Sequence, residues 1–357
     1  MELKDTLENI FSNFKTSNKF LDYSIFNSGH INDTYLIVTD KKPYYVLQKI
    51  NGTVFKDAKN VILNKVKVCN FLLNQKKVKT LEFVYTKNNN PYFIDEDYMF
   101  WNLCLYIENT KTFLTIKHKK LAFEAGKITG KFLHNTANFN DTLVTTLPNF
   151  HRMDYRLKEY EIAVRNASNT RLKYAKKWML FINNHQHEMQ VLDKALLNKE
   201  IPIRVTHNDT KISNILFTKN EKALCLIDLD TVMKGIIHYD YGDALRTICA
   251  TATEDEKELS KVSFDMENFK NYTSGFLSSL KNAISKKEIA LLPASIKTMT
   301  FIIGLRFLTD YLNNDMYFKT TYRNHNLDRA INQFTMVTKI IENMPKIEAY
   351  INNFKSS

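Results

Sequence analysis

The sequence predicts an α+β protein in two lobes: a small N-terminal antiparallel β-lobe with one main helix, and a larger, mostly helical C-terminal lobe. Three observations predict it. Short apolar runs rich in β-branched and aromatic residues, separated by polar turns, dominate roughly the first hundred residues. From Lys117 the pattern changes to long segments of helical period. A chain of 357 residues with 44% apolar side chains also exceeds what one core usually holds. The expected division is 1–107 as the smaller β-lobe and 108–357 as the helical lobe.

Taken in order, residues 7–14 suit a short amphipathic helix, and residues 23–26 and 34–38 two strands. The loop between them, Asn27-Ser28-Gly29-His30-Ile31-Asn32-Asp33, has the small residues that let backbone N–H groups approach phosphates, with Ser28 and Gly29 as candidates. An ordinary hairpin fits that loop equally well. A third strand, residues 43–50, carries Gln48 and Lys49, which alternation puts on opposite faces, so only one can face a cleft. Lys49 is the candidate for the α- and β-phosphates, with a solvent-facing Lys49 left open. Residues 58–74 read as a helix that contains no Glu, so a strand lysine finds no acidic partner there unless Asn60 or Asn64 substitutes. Strand-like runs follow at 81–85, 92–94 and 97–109, the last ending in Glu108-Asn109, where a hinge or an ordinary buried strand fits.

In the second half, residues 121–134 read as a helix whose Ala122, Gly126 and Gly130 permit close packing. Gly126-Lys127 is not a Walker loop, since Leu121 and Ile128 occupy the required Gly and Ser/Thr positions. Residues 154–199 suit one or two helices with a break near 166–169. His185 and His187, two apart, do not share a helix face, which argues against a metal site. Around Gly235 to Arg246 a loop leads into a helix; one of Asp240 and Asp243 serves as a cap, and the other braces the catalytic loop or reaches Arg246. In the apolar stretch 298–322, Arg306 and Asp310 stand four apart and either satisfy each other or, if buried, face a polar cavity. The acceptor site is the favoured place for Arg306. A helix at 327–343 follows.

The chemistry concentrates in residues 203–230. An apolar run leads into His207-Asn208-Asp209, Asn214 follows, and a second apolar run delivers Asp228 and Asp230. Three carboxylates and an amide on short loops between strands suit phosphoryl transfer, in which catalysis is positioning plus charge stabilisation. Asp209 is the candidate base for an acceptor hydroxyl; Asn214 and Asp228 are candidate hard-oxygen ligands for Mg²⁺. The order H-x-D-x-x-x-x-N with a later strand-end Asp is that of a kinase catalytic loop, but Asn208 stands in place of Arg and no D-F-G follows, which points away from protein kinases.

Composition narrows the classes. The net charge of +12 comes from lysines scattered through helical stretches, which reads as solvated faces and not as a nucleic-acid footprint. Cys69, Cys104, Cys225 and Cys249 form no C-x-x-C pair and sit among apolar residues, as buried free thiols would. The first residues lack the pattern of a signal peptide and no window approaches 18 uninterrupted apolar residues. The expectation is a cytosolic protein without nucleic-acid or membrane partners, of open oligomeric state.

The motif order after a small β-lobe resembles the aminoglycoside phosphotransferase/choline kinase superfamily. More narrowly, SGHINDTY (28–35), YVLQKIN (45–51), VFKD (54–57), HNDTKISNILF (207–217), LIDLDTVMKG (226–235) and RFLTDYL…YFK…HNLDRA (306–330) resemble the N-acetylhexosamine 1-kinases. The resemblance implies a protein-kinase-like fold and ATP-dependent, Mg²⁺-assisted phosphorylation of the anomeric hydroxyl of N-acetylglucosamine or N-acetylgalactosamine. It also implies Asp209 as base, Asn214 and Asp228 as metal ligands, and His30, Asp33 and Arg306 on the sugar side. The alternatives are an aminoglycoside, choline or homoserine kinase of the same superfamily, or a catalytically inactive nucleotide-binding protein.

Overall fold

One antiparallel sheet organises the N-terminal part of the chain. The computed structural model describes residues 2–26, 31–76 and 78–354. Helix α1 (Leu3–Ser12) precedes β1 (Phe20–Ile25), β2 (Asp33–Thr39) and β3 (Tyr45–Lys49), then come α2 (Ala58–Gln75), β4 (Phe83–Val84), β5 (Phe93–Ile94) and β6 (Phe100–Leu105). The sheet runs β1-β2-β3-β6-β4, with β5 also on β6. Alternation sorts its faces: Tyr35, Ile37, Tyr45, Leu47, Trp101 and Leu103 pack under Leu7, Ile10 and Phe11 of α1. On the other face Phe100 meets Val61 and Ile62 of α2.

The last strand is shorter than the apolar run suggests. Asp95 accepts hydrogen bonds from the Asp97 and Met99 backbones and from the Trp101 indole, and Tyr98 takes a φ of 60°, so a tight turn uses up the first residues.

The rest is helical around two small ladders. Strand β7 (Thr110–Lys111) leads to α3 (Lys119–Asn135), α4 (Met153–Asn166), α5 (Asn169–His185) and α6 (Val191–Leu197). Then come β8 (Arg204–Thr206), β9 (Ile215–Thr218), β10 (Ala223–Leu226), β11 (Met233–Gly235), α7 (Ile237–Ile248), α8 (Met266–Leu280), α9 (Lys286–Leu312) and α10 (His325–Asn352). The anticipated break lies between α4 and α5, where Ala167 and Ser168 are extended and the Ser168 hydroxyl caps the Arg171 N–H. Helix α8 is an element the pattern reading did not single out; Asp265 caps its start by accepting from Glu267 and Asn268. Helix α9 is long and apolar enough to cross a bilayer by composition, but 67% of its apolar window is buried. All four cysteines are buried and unpaired.

The small residues of α3 have a specific partner. A Cβ on Gly126 would sit 2.0 Å from the Tyr272 carbonyl oxygen, and one on Gly130 would sit 2.4 Å from that of Phe276, so α3 and α8 pack backbone to backbone. Gly126→Ala must push the helices apart and is expected to lower stability by about 2 kcal/mol, read from denaturant unfolding. An unchanged midpoint would mean that the two helices separate at no cost.

Candidate active site

Asp209 follows β8 and is held from all sides. His207 and Asn208 donate their backbone N–H groups to the two oxygens of Asp240, at 2.9 and 2.7 Å, so the helix α7 carboxylate fixes the loop. The His207 imidazole donates from Nε2 to the Ile227 carbonyl at 2.9 Å and accepts the Asp209 N–H at Nδ1, 3.3 Å away. Burial keeps it neutral by lowering its pKa. The catalytic loop is thereby tied to the strand end that carries Asp228.

Asn208 stands in the left-handed region at φ 65° and its amide bonds to the Thr206 and Thr231 carbonyls, so it is a structural bridge. Gly235 leaves room for it: a Cβ there would lie 2.4 Å from Thr206 Oγ1 and 3.1 Å from Asn208 Oδ1. Neither Asp240 nor Asp243 caps α7, whose N-cap is Ile236 with no side-chain cap bond; each has another task. Asp240 braces the loop, and Asp243 accepts from Arg246 at 3.1 Å.

Asn214 donates its amide to Asp209 Oδ2 at 2.8 Å and to the Asp209 carbonyl at 2.9 Å, which leaves its own oxygen without a partner among the described residues. Asp228 takes a φ of 60° and is crowded by Asp230 and Asp209; burial first, then these like charges, push its carboxyl up to about 7. A half-buried carboxylate within electrostatic reach of two others, with a free amide oxygen on the adjoining loop, is a donor set suited to a hard cation that takes its remaining ligands from phosphates and water. No cluster of three or more His, Cys, Asp and Glu ligands exists among the described residues, so an all-protein cage is not the arrangement here.

Lys211 is a candidate that the sequence reading missed. Its ammonium lies 2.8 Å from Asp209 Oδ2, and although burial opposes it, the charges of Asp209 and Asp228 hold its pKa above the usual lysine value. The signal was present in the sequence, a lysine two residues after Asp209 in the same loop. Burial acts to raise the Asp209 pKa, but Lys211 and Asn214 outweigh it and hold the carboxyl below its usual range.

The remaining candidates divide. Arg306 on α9 is half-buried, stacked over Phe150, Tyr317 and Phe318 at 4.9, 5.5 and 5.4 Å, and within electrostatic reach of Asp209. No hydrogen bond or ion pair reaches it among the described residues. Asp310 does not pair with it; that carboxylate accepts from the Tyr317 and Phe318 backbones at 2.8 and 2.9 Å and so shapes the aromatic surround.

Lys49 requires a correction as a phosphate ligand. It shares the α1 side of the sheet with Trp101, its ammonium 5.8 Å from that ring, while Gln48 takes the inner face. Asp33 pairs with Lys49 across β2 and β3, so it too lies on the outer side and is exposed. Strand parity forces both outcomes once α1 covers the odd-numbered residues of β3. Ser28, Gly29 and His30 lie outside the described residues. Neither Asn60 nor Asn64 anchors Lys49: the first bonds to Asp57 and the second to the Val144 and Val232 carbonyls.

A model of the phosphotransferase enzyme family matches residues 22–261. The chain belongs to that family. The match covers the sheet, the catalytic loop and the Asp228 strand end, and stops before the α9 helix that bears Arg306. Solved structures of similar shape include a microcompartment-associated aminopropanol kinase, at TM-score 0.63 and 12% identity over 96% of this chain and 98% of the other. They also include a choline kinase from Cryptosporidium parvum, at TM-score 0.63 and 16% identity over 99% of each chain. A spectinomycin phosphotransferase in complex with ADP and its antibiotic aligns at TM-score 0.59 and 12% identity, over 96% and 98%. This phosphotransferase therefore has the α+β fold, an N-terminal antiparallel sheet before a larger helical part, that the pattern of strands and helices predicted, and the kinase-like shape that the family resemblance implied.

His151 lies behind the catalytic loop of the phosphotransferase, 4% exposed, donating from Nε2 to the Asn208 carbonyl at 2.9 Å with Nδ1 unpartnered. Burial pushes its pKa from 6.5 down to about 3. Between those values the unfolded chain binds a proton that the native state does not, so stability is complete above 6.5 and falls with pH, by at most about 1.4 kcal/mol per unit. His151→Gln keeps a donor for Asn208 and is expected to flatten the fall of the thermal midpoint between about pH 6.5 and 4.5 relative to wild type. Parallel curves would show that this imidazole is not the linked group.

Proposed function

We propose that this phosphotransferase transfers the γ-phosphoryl of ATP to the anomeric hydroxyl of an N-acetylhexosamine, N-acetylglucosamine or N-acetylgalactosamine, giving the 1-phosphate. The observation that carries the reading is Arg306. It is a guanidinium without an anionic partner, set among aromatic rings and within electrostatic reach of the base. Such a group repels choline or a polycationic antibiotic and suits a neutral acceptor that offers carbonyl and hydroxyl oxygens. The motif phrases shared with N-acetylhexosamine 1-kinases point the same way.

In this reading Asp209 orients the acceptor hydroxyl and takes its proton. An anomeric hydroxyl is more acidic than an ordinary alcohol, so a carboxylate held below its usual pKa suffices. Lys211, beside Asp209, is placed to steady the transferred phosphoryl. Asn214 and Asp228 would hold Mg²⁺, which when bound neutralises charge on the phosphates. Residues 1–107 form the nucleotide side and 108–357 the acceptor side, with the protein acting in the cytoplasm on a free sugar and without nucleic-acid or membrane partners.

The test is incubation with Mg·ATP and a panel of amino sugars, hexoses, choline, homoserine and kanamycin, with products identified by phosphorus NMR. An anomeric phosphate on an N-acetylhexosamine is expected. A phosphate on another acceptor would move the protein to a different substrate class, and no transfer to any of them would support a non-catalytic nucleotide binder.

A further inference from the structure

Three parts of the N-terminal lobe converge on one carboxylate that the proposed chemistry does not use. Asp230, 4% exposed and two residues after Asp228, accepts from Lys65 Nζ of α2 at 2.6 Å on Oδ1. Its other oxygen accepts from the Asn32 amide and, at 3.5 Å, from the Gln48 amide of β3. Lys65 is itself 2% exposed and donates to Gln48 Oε1 at 2.8 Å. Asn32 in turn accepts the Asn51 N–H at 2.7 Å, and Asn102 of β6 donates to Gln48 Oε1 at 3.3 Å.

In the protein-kinase arrangement a strand lysine pairs with a helix acid, and that pair must be in place for catalysis. Here the polarity is reversed and the partner has moved. The strand position holds a neutral Gln48, the helix supplies the cation, and the acid lies on the loop that presents Asp228. A buried ion pair whose ammonium also donates to Gln48 is a poor source of stability but a strong fixer of geometry. Asp209 has its own cation, Lys211, at 2.8 Å, whereas Lys65 pairs with Asp230.

We propose that Lys65 is a positioning residue for the nucleotide–metal site: its ion pair with Asp230 locks α2 and the inner face of the sheet to the loop that carries Asp228, so that Asp228 and the nucleotide's phosphates meet at a fixed depth. This rests on the ATP and Mg²⁺ reading above. It also accounts for the absence of Glu from α2, because no acid is needed there when the helix itself provides the charge.

The experiment is calorimetric titration of the full-length protein with ADP, once with Mg²⁺ and once with EDTA, on wild type, Lys65→Met, Asp230→Asn and the double variant, with thermal midpoints alongside. In Lys65→Met the gain in ADP affinity that Mg²⁺ confers is expected to shrink by roughly tenfold or more, the size found when the groups supporting a metal ligand are removed. Metal-free ADP affinity should change by less than about threefold, since no direct nucleotide contact is lost. The double variant leaves no unpaired buried charge, so its midpoint should recover towards wild type while the Mg²⁺ gain stays lost; this variant also carries the test if Lys65→Met does not fold. Equal weakening of metal-bound and metal-free ADP, or return of the Mg²⁺ gain in the double variant, would overturn the positioning role and leave a packing role. If wild type itself binds ADP without any Mg²⁺ gain, the reading beneath fails, and that result is separate from any effect of Lys65.

Discussion

Asp209→Asn is expected to lower turnover by roughly 10²- to 10⁴-fold, the range for loss of a positioned general base. The substitution is nearly isosteric, so the contacts that shape the loop survive: Asn214 still has the residue-209 carbonyl to bond, and His207 still receives the residue-209 N–H. What disappears is the proton acceptor and the charge that holds the Lys211 ammonium at 2.8 Å. The loss should therefore appear in kcat, with ADP affinity measured calorimetrically remaining within a few-fold of wild type, because Asn214 and Asp228 are untouched. A variant that keeps near-normal turnover would remove Asp209 from the role of base, and one that loses nucleotide binding in equal measure would make it part of the nucleotide site.

Asp240→Ala should be the most damaging change away from the reacting groups. Asp240 is fully buried, and burial pushes its carboxyl up to about 7 even though two backbone N–H groups act to lower it. Removing it strands the His207 and Asn208 N–H groups inside the protein, each at a cost of about 1–3 kcal/mol, so a total loss near 3–5 kcal/mol is expected, the size seen when buried polar networks are broken. Asp240→Asn is expected to be costly as well, because its amide presents a donor to one of two donors. Turnover should fall with either change, since the loop that aims Asp209 loses its brace. Urea unfolding and kcat measured on the same preparations check both parts. If stability drops while kcat per folded molecule is unchanged, the loop holds its shape without the carboxylate.

Local order in the chain carried much of the candidate site. Asp209, Asn214 and Asp228 lie within twenty residues of one another on short loops between strands, so their meeting depends on tight loops more than on distant packing. The structure does bring these three together. The same stretch contained Lys211, overlooked because a lysine in a basic chain looks like another solvated charge. The break between α4 and α5 and the small-residue face of α3 were also legible, since caps and glycine spacing act over a single turn.

The residues alone determined the α+β division, most of the order of strands and helices and the composition of the catalytic loop, because periodicity, caps and turn chemistry are local. Tertiary structure decided which strand face looks inward: alternation made Gln48 and Lys49 exclusive, but only the packing of α1 against the odd-numbered residues sent Lys49 outward. It also decided partners far apart in the chain. Lys65 meets Asp230 across 165 positions, and Arg306 is left without Asp310 because that carboxylate bonds to a following loop. A buried charge must find a partner, but which one it finds depends on how helices and sheet dock, and no spacing within a single element records that docking.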